Sequence, residues 1–156
     1  MLYLFLKYLH VIGAAVLLGT GAGIAFFMLR AHLTGEAATI AAVARIVVVA
    51  DFLFTATAVV AQPLTGIALV HESGHSPRES WIVLSIILYV ATGAFWLPVV
   101  WIQMQMRDLA AGSAAQGKQL PARYYILFRV WFACGFPAFG AVMTIFWLMM
   151  ARPSMW

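Results

Sequence analysis

Few side chains in this chain could do chemistry, and most of them stand in apolar surroundings. Its imidazoles are His10, His32, His71 and His75, and its one thiol is Cys134. His10 lies inside a long apolar run, with Lys7 one turn before it and Gly13 and Ala14 one turn after. Neutral imidazole is a common iron ligand, and bundle cores are common cofactor sites. Small residues beside the imidazole leave a flat wall against which a porphyrin could lie. His10 is therefore read as an axial ligand of haem b. An interfacial histidine bonded to a carbonyl or a lipid headgroup is the plainer reading of the same residue.

A second ligand has to come from elsewhere. The polar stretch His71-Glu72-Ser73-Gly74-His75-Ser76-Pro77-Arg78-Glu79-Ser80 offers two. His71 closes an apolar run at the surface where His10 enters, so it is the preferred partner and His75 the alternative. Pro63 leaves the rotational direction of His71 open. Lys7 and Arg78 lie on the same side and could hold the propionates, although interfacial snorkelling accounts for both. The stretch also spells H-E-x-x-H, a zinc pattern that works only on a continuous helix. Gly74 within it and Pro77 after it argue against that, leaving simple binding of a metal ion by outer-face histidines as the remaining metal reading.

Asp51 and Arg129 form the other candidate site. Each is expected about 9 Å in from the cytoplasmic end of its helix at 1.5 Å per residue. A carboxylate paired with a guanidinium is the least costly way to keep either in a membrane. The expectation is an inter-helix ion pair, with a proton path through Thr55 and Gln62 as the functional alternative. The methionines fall at ordinary apolar positions and are read as packing residues.

The elements that must position these groups follow from composition. The chain has 156 residues, 65% hydrophobic and 9% charged, against about 25% charged in soluble domains. A span needs about 20 apolar residues. Such runs lie near 3–29, 45–70, 81–106 and 124–150, which predicts an all-α, polytopic membrane protein: one domain, a four-transmembrane-helix bundle with kinked helices. The first run is too long for the apolar part of a signal peptide and has no basic start, so it is read as a retained span. The single cysteine excludes an internal disulfide. The formal charge of +4 calls for no nucleic acid, because the basic residues mark span ends. Arg30, Arg45, Arg107, Lys118 and Arg123 gather at the first and third connections. That predicts both termini outside the cell's inner (cytoplasmic) membrane.

Within the spans, Asp51, Thr55, Gln62 and Thr65 fall within about 80° of arc at 100° per residue, so this polar stripe must face the bundle. Ser85, Tyr89, Thr92 and Trp96 line one face of the third span. Gly19 and Gly23 suit close approach of another helix, within the chain or from a second copy. Residues 104–123 read as a loose linker.

The segment Lys7-Tyr8-Leu9-His10-Val11-Ile12, followed by Arg30-Ala31-His32, resembles the first span of HemJ-type protoporphyrinogen oxidases, which are four-span haem b proteins. Phe128-Arg129, Pro137 and Arg152-Pro153 resemble their last span, and Pro63-Leu64-Thr65-Gly66 their second. The resemblance implies that His10 ligates haem. It does not carry the oxidase activity over, because nothing from Trp81 to Met106 is charged and Val130-Trp131-Phe132 stands where that family has an Asn-Glu pair. The whole chain, including Trp96-Leu97-Pro98-Val99-Val100-Trp101, is similar to a family of predicted integral membrane proteins of unknown function. The function expected is a small b-type cytochrome that exchanges electrons with a quinone or a redox protein. An accessory subunit of a larger complex, or a protein that handles metal ions, is the alternative.

Overall fold

The computed structural model describes all residues, 1–156, and every regular element is helical. The helices are α1 (Leu2–Thr34), α2 (Ala37–Ala50), α3 (Ala56–Ser73), α4 (Ser80–Ala115) and α5 (Ala122–Ala151). A π-helical turn, Asp51–Thr55, joins α2 to α3, so the two run as one interrupted span. Four segments are long and apolar enough to cross a membrane. Gly35 and Gly74 end α1 and α3 in left-handed conformations (φ 69° and 70°), the geometry for which glycine is suited.

The helices outrun the apolar runs. The linker expected over 104–123 is mostly helix, because α4 continues to Ala115 through Gln, Met, Leu and Ala, all good helix formers. Pro121 caps α5 one residue before its first turn.

Both termini and the 74–79 connection share one end of the bundle, here the terminal end. The two shorter connections share the other, the linker end. The core sits at the linker end, where Met28, Ile40, Met106 and Tyr124 are fully buried and Ile24, Ala44, Ala110, Phe128 and Trp131 surround them. At the terminal end only Trp81, Ile82 and Leu148 form a small second cluster, with Val70 packed against it. The bundle is thus pinned at one end. Towards the other it resolves into an α1–α3 pair and an α4–α5 pair, and α3 and α4 hardly touch.

Where they do touch, the contact is polar. Pro63 has no N–H, so the carbonyl of Val59 one turn earlier loses its helical donor. The Tyr89 hydroxyl of α4 donates to that carbonyl instead. A kink that would leave an orphan acceptor in lipid becomes a bridge between the two helix pairs.

Candidate functional site

The fold positions two polar sites on the interrupted span. The π turn separates them by shifting the helical phase. Asp51 meets Trp96 and Gln103 of α4, whereas Gln62 and Thr65 turn towards α1. All four point inward, as the stripe predicts.

At the first site His10 Nδ1 lies 2.8 Å from Thr65 Oγ1. The Thr65 hydroxyl proton is committed to its own helix, with Ala61 O at 2.8 Å and Gln62 O at 3.2 Å. With the proton placed there, its lone pairs accept from the Nδ1–H of His10. In that tautomer Nε2 keeps a free lone pair. No hydrogen bond engages Nε2, and it is not sealed from the surface. Gln62, buried in α3, donates from Nε2 to His10 O at 2.8 Å.

Two glycines make this close packing possible. A Cβ on Gly13 would lie 2.3 Å from Gln62 Nε2, and one on Gly66 would lie 3.3 Å from His10 Cε1. The flat wall expected beside His10 exists, but the Gln62 amide fills it. A porphyrin cannot lie against Gly13, and Ala14 beside it is half-buried.

The second imidazole does not converge. His71 is exposed on the last turn of α3, in a shallow groove with Leu2, Leu6, Leu64 and Ile67. The His10 ring abuts Gly66, which lies about 140° round the helix from His71 and about 7.5 Å along it. The expected His10–His71 pairing is not formed, because Pro63 and helix phase turn His71 to the outer face of α3. His75 does not replace it. It lies beyond Gly74, off the helix, with Glu79 Oε1 at 3.0 Å from Nδ1 and Arg152 Nη1 at 3.2 Å from Nε2. That break also takes it off the face of His71 and Glu72 required by the zinc pattern. Lys7 is exposed with its ammonium 5.9 Å from the Tyr3 ring centre. Arg78 is exposed in the connection, its backbone N–H donating to Ser76 Oγ. Neither is hydrogen-bonded to His10.

At the second site Asp51 is 3% exposed. The Trp96 indole donates to Oδ1 at 3.2 Å. The Gln103 amide, oriented to satisfy both its neighbours, donates to Oδ2 at 3.0 Å and accepts from Trp131 Nε1 at 3.1 Å. The expected ion pair with Arg129 is absent. Arg129 is exposed and donates from Nε to Tyr125 O at 3.4 Å. Trp131 turns inward to Gln103, so Arg129, about 200° away on the same helix, faces out. The spacing of Tyr124, Phe128 and Trp131 marks the inner face of α5 and could have revealed this.

His32 is more than a span-end residue. Its ring stacks on Phe128, centroids 3.6 Å apart and planes 6° from parallel, with Nδ1 3.3 Å from the Tyr124 hydroxyl.

A four-span helical bundle with polar groups buried on a broken helix defines an integral, multi-pass membrane protein. Within that class the chain belongs to the family described as "Predicted integral membrane protein (DUF2269)", whose profile matches residues 4–153. Nothing matches among curated proteins or among solved structures.

Proposed function

We propose that the protein is a small membrane redox protein that holds haem b through one axial ligand of its own, His10. The observation that carries this reading is the contact of His10 Nδ1 with the Thr65 hydroxyl. Histidines that ligate metals almost always donate their other ring N–H to an oxygen, which orients the ring and raises its basicity. Thr65 does this for His10.

The fit is to a single ligand. His71 and His75 are directed elsewhere, and the Gly13 wall is filled, so the macrocycle would have to lie outside the α1–α3 seam, on the side where Nε2 opens. Haem bound there would supply one-electron redox chemistry. Lys7, one turn nearer the terminal end on the same arc, is the cation placed to meet a propionate. A quinone or redox protein at the outer membrane surface is the proposed exchange partner.

The test is an absorption spectrum of detergent-purified protein expressed with haem precursors. A Soret band is expected, lost in His10→Ala and retained in His71→Ala and His75→Ala. Absence of the band from the unaltered protein overturns the reading and leaves an accessory membrane subunit.

A further inference from the structure

Asp51 is the acidic side chain that lies deep in a span; Glu36, Glu72, Glu79 and Asp108 are all near helix ends. A carboxyl group in this position is costly unless it is neutralised. Its hydrogen-bond partners, Trp96 and Gln103, are both neutral donors.

No cation faces it from any packed element. On α1 nothing titrates between His10 and Arg30, and on α3 nothing titrates before His71. Arg45 of α2 is exposed. On α4 the Tyr89 hydroxyl is bonded to Val59 O, and Arg107 pairs with Asp108. On α5 Arg129 points outward and Cys134 is a half-buried thiol.

A second observation points to a ligand. Thr57, Thr65, Thr92 and Thr144 each donate their hydroxyl to a carbonyl one turn back. Thr55, on the face of Asp51 and in the same π turn, does not. It is 7% exposed and its hydroxyl has no partner. A buried hydroxyl with both its donor and its acceptor unused is rare and costly in a native fold. The group within reach of it is the Asp51 carboxyl one turn back.

We propose that Asp51 and Thr55 form a reversible proton-binding site within the span that α2 and α3 make. The proton resides on an Asp51 carboxyl oxygen and is donated to Thr55 Oγ1. That neutralises the charge and gives the hydroxyl its partner. The Trp96 indole and the Gln103 amide, itself held by the Trp131 indole, keep the carboxyl in place, and they also accommodate the carboxylate when the proton leaves. The few oxygens gathered here suit a proton rather than a metal cation.

The experiment follows thermal unfolding in detergent across mildly acidic to mildly alkaline pH, with and without sodium, for the unaltered protein and for Asp51→Asn. Asparagine keeps the shape and the acceptor but cannot ionise. If the folded state holds a proton that the unfolded chain releases, stability falls as pH rises. The unaltered protein should lose stability with rising pH relative to Asp51→Asn, and Thr55→Val should move that loss to lower pH, whereas Thr55→Ser should not. Labelling by dicyclohexylcarbodiimide, which attacks protonated carboxyls in apolar surroundings, should reach Asp51 at low pH and fade as pH rises. If Asp51→Asn does not fold, Thr55→Val and the labelling profile still decide. Identical pH profiles in the folded variants, labelling that does not change with pH, or protection by sodium at constant pH would each overturn the proposal.

Discussion

The Tyr89 hydroxyl donates to the carbonyl of Val59, which Pro63 has deprived of its helical donor. This bond is a polar bridge between the two helix pairs where they begin to separate. Removing it with Tyr89→Phe should cost about 0.6–1.7 kcal/mol, the range for inter-helix hydrogen bonds in membranes. Pro63→Ala restores the missing N–H, so Tyr89→Phe should cost measurably less in that background. A double-mutant cycle in detergent unfolding reads the difference, and additive effects would show that the bridge carries no such role.

The seam between α1 and α3 depends on the absence of a side chain at residue 13. In Gly13→Ala the new methyl group meets the Gln62 amide and must expel it from His10 O. The expected loss is about 1 kcal/mol for a hydrogen bond, with further cost if the buried amide finds no new partner. Gly19→Ala, where the space is open, is the control and should be neutral or slightly stabilising.

Thr65→Val keeps the shape beside His10 and removes the acceptor for Nδ1–H. On the haem reading, affinity for the pigment should fall about 10–100-fold, as for other partners that orient ligating histidines. Titration of the apoprotein with haem measures it. Unchanged affinity would mean that Thr65 only packs.

At the terminal end, Glu79 accepts from the Trp81 indole at 2.8 Å, lies against His75 and accepts from the Ser76 N–H. The indole bond, and then the His75 and Ser76 contacts, hold its carboxyl below the usual carboxylate range. A depressed value contributes stability that is complete above the unfolded carboxylate range and is lost as pH falls through the lower, folded value. Acidification should therefore loosen the 74–79 connection and free the C-terminal tail that Arg152 and Ser80 tie to it. In Glu79→Gln the tail's protease sensitivity should no longer depend on acid.

His32→Ala should destabilise the linker end by about 1–2 kcal/mol through lost aromatic stacking and area. His71→Ala, on an exposed arc, should stay within about 0.5 kcal/mol of the unaltered protein. Thermal unfolding of the two variants side by side tests this. Equal effects would contradict the packing role of the His32–Phe128 stack.

Composition and apolar run length determined the class and the four spans, and helical phase the inward stripe of Asp51, Thr55, Gln62 and Thr65. These follow from local rules: bilayer thickness sets span length, and burial forces polar residues towards the bundle. Which polar group meets which was decided only by tertiary structure. Helical phase past Pro63 and through the π turn rotates side chains by angles that no residue count supplies, and so His71 and Arg129 turn outward while Trp96 and Gln103 reach Asp51. Depth can be counted along a helix, but direction accumulates every local irregularity. The partners of His10 and Asp51 were fixed by how the helices pack.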